Sequence, residues 1–386
     1  MNKHSSSNAR PRPSLAQTTR LVARALAMPP AELMASLRPA TLDDLPGMLA
    51  LRARVLGDQL GWDDQAYLSW RYRLGRAGQG GGDCWLLARH GDILGMVGTQ
   101  DLALRCGPLA CQALSLMDIM IQPELEGAGV GAWLNLALQE QAEATLAIGS
   151  NTHSIGMVNR LFDALPNRRT HVHPVRLGHF IKTRLRAPLR SGAIVSAAEN
   201  LIRAANALLL APWAIGLDVR PLTEPGELEA LDTLQQRQAA TSLVHDERTP
   251  AQWRWRLIDN PRTPCQLWGA WSKDGLEACM ATCLTPLDGQ RQALVVADTL
   301  VPLPSGKRAL RALLWKVLQH AYQAEADYVV ITTYRQDLEQ ELRRLGFRCQ
   351  PHPFETMAWS CRHQAFRALV AQHPNWTLSE FHTDRI

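Results

Sequence analysis

The sequence predicts an α/β (α+β) protein made of two tandem domains of like fold, each a mixed central sheet flanked by helices. Three observations predict it. A set of anchor residues recurs in the same order in the two halves of the chain. Within each half the apolar spacing reads as an antiparallel meander followed by a strand-loop-helix-strand unit. In the first half, the loop of that unit is a run of alternating glycines.

The anchors begin with Arg38-Pro39-Ala40-Thr41-Leu42, matched by Arg220-Pro221-Leu222-Thr223-Glu224. Each is followed by a Trp-Arg-aromatic-Arg-Leu run, at Trp70–Leu74 and at Trp253–Leu257. A further tryptophan comes at the same spacing after each run, Trp85 and Trp268. Each copy then places an aspartate inside an apolar run that ends at proline: Asp118 before Pro123, and Asp298 before Pro302. Four anchors in one order at near-constant spacing mark a duplicated fold.

In the first copy, period and turn residues predict a helix over 42–56, a short helix at the Trp-Arg-Tyr run, and strands over 84–89 and 93–104 turning at His90-Gly91-Asp92. A strand over 113–121, a helix over 129–144, a strand over 145–149 and a helix over 154–165 follow. The second copy repeats the order, with its hairpin at Lys273-Asp274-Gly275. This divides the chain into a basic N-terminal tail and helix (1–37), a first domain (38–175), a linker (176–218), a second domain (219–360) and a tail (361–386).

The linker carries a helical pattern over 191–213. Ile194, Ala198, Leu201, Ile202, Ala205, Leu208 and Leu209 fall on one face, with Ser196, Glu199, Asn200, Arg203 and Asn206 opposite. Glu199 and Arg203 argue against a membrane span, so the expected role is a helix laying its apolar face on the domains. The alternative is peripheral membrane contact through 176–213.

The chain has 386 residues, 46% hydrophobic and 20% charged, enough to bury two cores. Its net charge of +5 is concentrated in two segments. Five cations against Glu32 lie in residues 1–37, and six against Glu199 in 176–203, which leaves the rest mildly acidic. Such segments are commonly solvated connections, and a nucleic-acid partner is not expected. Eight cysteines lie among apolar neighbours without the paired spacing of a zinc site, so they are expected to be reduced core residues and no metal is expected. The opening residues are polar and basic with no apolar stretch behind them, so a secretory leader is not expected and the cytoplasm is the expected location.

The run Pro123-Glu124-Leu125-Glu126-Gly127-Ala128-Gly129-Val130-Gly131 joins a predicted strand to a predicted helix. Glycines at alternate positions let successive N–H groups face one concavity at the positive end of a helix, which is a phosphate nest. No Gly-Lys-Ser/Thr follows, so the loop is not that of a nucleoside triphosphatase. A dinucleotide fold would place the loop in an early βαβ unit with an acidic residue at the end of the next strand. Here the loop follows a meander, and the next strand ends in Ser150-Asn151.

The stretch resembles motif A of the GNAT superfamily of acyl-CoA N-acyltransferases, in which an apolar strand and a proline lead into [Q/R]-G-x-G-[I/V]-G. The resemblance implies an acyl-CoA, acetyl-CoA above all, as co-substrate. By it, Gly127, Ala128, Gly129, Val130 and Gly131 would hold the pyrophosphate, while Met120 and Ile121 would meet the pantetheine arm. Residues 151–163 resemble the family's next motif at Asn151, Ser154, Met157 and Leu161, and Leu345-Gly346-Phe347 ends the second copy in the same way. The likeness covers about 38–165 and 219–350. It departs at Glu126, where the family has Gln or Arg, and at Val158, where it usually has the Tyr that protonates the leaving thiolate. The second-copy loop, Pro302–Leu310, keeps one glycine, Gly306, and has lost the nest.

Acyl transfer to an amine needs a base near the thioester and a proton for the leaving sulfur. Asp118, just before the loop, is the candidate base, with a purely structural carboxylate as the alternative. His153 is the candidate acid, with a surface histidine as the alternative. The Trp-Arg-aromatic runs read as packing rather than as a ligand platform. Duplicated GNAT proteins with such runs, and with a tail like Trp376–Asp384, resemble those associated with bacterial exopolysaccharide biosynthesis, which implies an amino sugar or surface-glycan precursor as acceptor. The expected assembly is a monomer whose two domains form an internal pseudo-dimer. Two other classes remain open: a non-catalytic acyl-CoA- or glycan-binding regulatory protein, and a FemAB-like aminoacyl or peptidyl transferase.

Overall fold

Described in this computed structural model are residues 12–57, 64–75, 82–149, 153–165, 168–178, 192–241, 244–288, 291–350, 357–372 and 376–383. They fall into two compact units. Unit 1 comprises residues up to Gln100, Leu114–Leu165 and Ala358–Ser360; unit 2 comprises Asp101–Ala113, Pro166–Met357 and Cys361 onward.

Unit 1 opens on α1 (Leu15–Ala25), started by a reciprocal cap between Ser14 and Gln17, and α2 (Pro30–Ala35), with proline in its first turn. β1 (Leu37–Pro39), α3 (Leu45–Leu56) and α4 (Gln65–Arg71) follow, α4 capped by the Asp64 carboxylate on the Tyr67 N–H. The meander is β2 (Cys84–Arg89), β3 (Asp92–Cys106) and β4 (Leu109–Ile121). Next come α5 (Val130–Gln139), β5 (Ala144–Ile148), α6 (Ile155–Leu161) and β6 (Asp163–Leu165). Two of these differ from the sequence expectation. The helix expected to run to 144 stops at Gln139, because the chain must turn before entering β5. The helix expected to run to 165 stops at Leu161, because β6 joins the sheet.

Unit 2 takes β7 (Arg169–Pro174), α7 (Gly192–Leu210), β8 (Asp218–Pro221), α8 (Pro225–Ala239) and β9 (Val244–Asp246). There follow α9 (Pro250–Trp253), continued by a wider turn over Arg254–Ile258, and the meander β10 (Gln266–Ser272), β11 (Gly275–Asp288) and β12 (Arg291–Leu300). The unit continues through α10 (Lys307–Gln323), β13 (Tyr328–Thr333), α11 (Gln336–Arg344) and β14 (Arg348–Gln350). Gly346, just beyond α11, has φ 86°, the left-handed conformation that ends a helix. The chain closes with β15 (Met357–Cys361) and α12 (Gln364–Val370).

The two sheets have the same plan. The first runs β1-β2-β3-β4-β5-β15-β6, and the second, from its other edge, β8-β10-β11-β12-β13-β7-β14. In each, the strand beside the last comes from the other half of the sequence: β15 stands between β5 and β6, and β7 between β13 and β14. β12 and β13 run parallel, and β13 and β7 antiparallel. The cores lie between sheet and helices: Tyr72, Leu68, Met48 and Met96 in unit 1, Leu310, Leu314, Val317 and Ile331 in unit 2. All eight cysteines are free thiols, and all but Cys349 are buried.

α7 overturns one expectation. Its apolar face does not cover the fold: Leu201 is 72% exposed, Leu208 80% and Leu209 55%. The side that packs carries Glu199, Asn206 and Leu210 with Ile202 half-buried, while Ser196, Asn200 and Arg203 are exposed. Asn206 is buried with its Nδ2 3.1 Å from His173 Nε2 and 3.5 Å from the Tyr322 hydroxyl. Glu199 Oε1 accepts from the N–H groups of Leu177 (2.7 Å) and Gly178 (3.1 Å), and the Arg203 guanidinium lies over the Tyr322 ring.

Unit 2 also buries histidines in neutral form. Burial pushes His171, His173, His320 and His382 below the usual imidazole value of 6.5, for His382 in spite of the Asp246 carboxylate 3.3 Å away. Below pH 6.5 the unfolded chain binds protons that the folded one refuses, so stability must fall as pH is lowered from that value. Urea unfolding should have its midpoint lower at about pH 5.5 than at about pH 7.5. A midpoint that stays level or rises on acidification contradicts this.

Candidate functional site

The site begins where β4 leaves the unit 1 sheet. Gln122 anchors the exit to β3: its N–H donates to the Leu94 carbonyl at 3.0 Å and its Nε2 to that of Ile93 at 3.0 Å. A 3-10 turn over Pro123–Leu125 follows, and the Ala128 N–H closes back on the Leu125 carbonyl at 3.1 Å. Gly127 (φ 81°) and Gly129 (φ 83°, the N-cap of α5) both take left-handed conformations that other residues adopt only under strain. α5 has no side-chain cap, so the first-turn N–H groups have no partner within the helix. Gly131 serves packing: a Cβ there would lie 2.9 Å from Ile121 Cδ1. The predicted pyrophosphate residues are thus gathered at one helix N-terminus.

Behind the loop, α5 is fixed by apolar contact among Val130, Trp133, Leu134 and the α1 residues Val22 and Ala23, and by a hydrogen bond from Trp133 Nε1 to Thr19 Oγ1 at 3.1 Å. The Val22 side chain comes 3.7 Å from where a Cβ on Gly129 would stand. Glu126 is exposed, and Glu124 pairs with Arg54 at 2.7 Å; a bond to its own backbone N–H, and then this pair, hold its carboxyl below the usual range. Ile121 packs beside this cluster, whereas the Met120 side chain is buried in the neighbouring core.

Asp118 lies three residues before the end of β4 and has φ 51°, a left-handed conformation in mid-strand. Such a kink re-aims a side chain out of the pleat. Its Oδ2 accepts from the Tyr72 hydroxyl at 2.9 Å and lies 3.9 Å from Arg71 Nε, and its side chain keeps 8% exposure. Arg52 Nη1 donates to the same phenol at 3.3 Å. Burial, and then the Asp118 charge, push the Tyr72 phenol well above its usual 10, so it stays protonated as a donor.

Asp298 in unit 2 is held differently. It sits beside a bulge, because Ala281 pairs with Asp298 while Thr282 pairs with Val296. Its partner is Arg248, both side chains are 1% exposed, and the guanidinium lies over the rings of Trp253 (4.4 Å) and Phe381 (5.0 Å). Desolvation lowers Arg248 to about 10. Trp255 occupies the repeat position of Tyr72, so no phenol is available there. The tyrosine was read from sequence as packing alone; its place one residue after Arg71 in a run whose second copy has Trp was the available signal.

The turn before α10 is filled rather than open. Val301 and Leu303 are buried, the Val301 N–H donates to Gln238 Oε1 at 2.7 Å, and its carbonyl accepts from Arg335 at 2.8 Å. Lys307 is committed to Glu341 at 2.9 Å.

His153 is exposed in the turn before α6. Asn151 lies outside the described residues. Val158, at the family's tyrosine position, is a core residue. A cavity of about 320 Å³ in unit 1 is lined by Arg38, Asp44, Arg89, His90 and others, and by neither the glycine loop, Asp118, Tyr72 nor His153; Arg38 is already paired with Asp44 at 2.6 Å. Among the described residues, His171, Glu339 and Cys349 lie close enough to share a metal ion. The Glu339 carboxylate there is already paired with Arg169 and Arg343, which opposes a further cation.

No family model and no curated protein matches the sequence. Solved structures do. A GCN5-related N-acetyltransferase from Anabaena variabilis superposes with TM-score 0.56 at 12% identity, over 85% of this chain and 73% of that one. A GCN5-related N-acetyltransferase from Kribbella flavida gives 0.56 at 13%, over 84% and 70%. Saccharomyces cerevisiae N-myristoyltransferase with bound myristoyl-CoA gives 0.54 at 10%, over 84% and 77%. The chain therefore has the fold of GCN5-related N-acetyltransferases.

Proposed function

We propose that this protein transfers an acyl group from an acyl-CoA to a primary amine, with a single coenzyme site in unit 1. The observation that carries the reading is the uncapped first turn of α5 behind Gly127 and Gly129, an anion nest at the end of the strand that bears Asp118. Its N–H groups are suited to the coenzyme pyrophosphate, and β4 leads back from them along the line of a pantetheine arm. Unit 2 repeats the strand order but fills the corresponding turn, which argues against a second coenzyme there. The acceptor we favour is an amino sugar or related glycan precursor, on the resemblance of the repeats and tail.

In the mechanism, the ammonium of the acceptor gives up a proton before attack on the thioester carbonyl. Asp118 is the base, directly or through a water, with Tyr72 and Arg71 holding its carboxylate in place. The amine nitrogen then bonds to the acyl carbon and sheds a second proton, the carbon–sulfur bond breaks, and the coenzyme thiolate takes up that proton, directly or through water. Asp118→Asn should keep acyl-CoA affinity and lower kcat by roughly 100- to 10,000-fold. Thiol release, followed with a disulfide reagent over a panel of amino sugars and other amines, checks this. Unchanged kcat returns Asp118 to a structural role, and coenzyme binding without turnover on any amine favours a regulatory protein.

A further inference from the structure

α7 and the turn after it present an apolar stripe that the fold leaves uncovered. Ile194, Leu201 and Leu208 recur on one side of the helix at 40%, 72% and 80% exposure, with Leu209 beside them, and Ile215 (73%) extends the stripe past the helix end. Buried charge or packing does not explain such a row of large aliphatic side chains facing water, and isolated ones would need no explanation. By length and a mean hydropathy of 1.3, residues 192–214 reach the range of a membrane span, but only 11% of that window is buried in the protein.

Spanning is excluded by what the other face does. Glu199 accepts two backbone N–H groups and Asn206 binds His173 and Tyr322, so that side is bound to unit 2. A helix held along one side by polar contacts to a folded unit can offer lipid only its other side. Arginines lie beside the stripe, while the one acid of α7, Glu199, is taken up by backbone N–H groups and Asp218 is paired with Arg220. Arg203 and Arg308 are exposed, with Arg308 donating to the Ile215 carbonyl, and Arg311 stacks on Trp213, an aromatic of the kind that sits at headgroup depth. The sequence just before α7 adds Arg176, Lys182, Arg184, Arg186 and Arg190 with no acidic residue among them.

We infer that α7 and the turn over residues 211–215 form a peripheral docking surface for a bilayer bearing anionic lipid, with the stripe entering the acyl boundary and the cations meeting the headgroups. The apolar stripe supplies depth, and the basic residues supply selection for negative charge. This does not depend on the coenzyme site, which belongs to the other unit.

Flotation of the full chain with vesicles of phosphatidylcholine, alone or with a minority of phosphatidylglycerol, tests the inference. The protein should float with the anionic vesicles, poorly with the neutral ones, and less as salt is raised. Leu201→Glu with Leu208→Glu, at exposed positions that leave the packed face intact, should reduce partitioning on the order of 100-fold, with the thermal midpoint unchanged. Failure to float on either vesicle overturns the inference, as does flotation that the double variant keeps. So does a wild-type dimer in sedimentation equilibrium that the double variant abolishes without any vesicle binding, since the stripe would then belong to a second copy.

Discussion

Gly129→Glu is expected to lower acyl-CoA affinity by at least about 100-fold while the protein stays folded. Two effects add. The nest offers several N–H groups to a pyrophosphate, and each hydrogen bond to a charged group is worth about 1.5–3 kcal/mol. A carboxylate placed among them removes that attraction and adds repulsion. A side chain at φ 83° is also strained by roughly 1–2 kcal/mol, which pulls the loop out of the shape that gathers the amides. A Cβ at this position meets only the Val22 side chain, at 3.7 Å, so the fold itself has no reason to fail. Calorimetric titration of the variant with acetyl-CoA and longer acyl-CoAs, alongside its circular dichroism, measures both. Affinity within a few-fold of wild type would remove the loop from the coenzyme site.

The second large effect is on stability. Asp298→Ala takes from the Arg248 guanidinium, buried among Trp253 and Phe381, the carboxylate paired with it and leaves only the Asp246 charge acting on it, a loss of about 3 kcal/mol. Urea unfolding should show it as a lower midpoint. Replacing both partners by apolar residues, Arg248→Met with Asp298→Leu, should recover most of the loss, because the cost lies in the unpaired charge rather than in the absent bond. Asp118→Asn provides the contrast. Its hydrogen-bond partner is a neutral phenol that can still donate to the amide oxygen, and only the buried Arg71, 3.9 Å away, loses a charge partner, so stability should fall less than for Asp298→Ala while turnover falls. If both substitutions act on stability alone, the two aspartates share one structural role.

The comparison of these aspartates shows where sequence reading reaches and where it stops. The apolar run around Asp118, the proline and the glycines were enough to place β4, the loop and the start of α5, because strand period, chain reversal and left-handed glycine are local properties. The left-handed φ of Asp118 was not legible, since a break in the pleat depends on how the strand pairs with its neighbours. Nor was the Tyr72 hydroxyl as its partner, which requires α4 and β4 to meet. β7 and β15 carry no strand assignment in the sequence reading, and their place in the sheets is set by pairing far along the chain. In α7 the period gave the helix and both faces, but not which face is covered. Asn206 and Glu199 decided that by finding partners the sequence does not announce.

The account rests on one coenzyme site in two units of like strand order, and the stoichiometry of acyl-CoA binding to the intact chain tests that most directly. Isothermal titration is predicted to give one equivalent per chain. Two equivalents would contradict the reading of unit 2 as filled, and no binding of acetyl-CoA or any longer acyl-CoA would contradict the account at its centre.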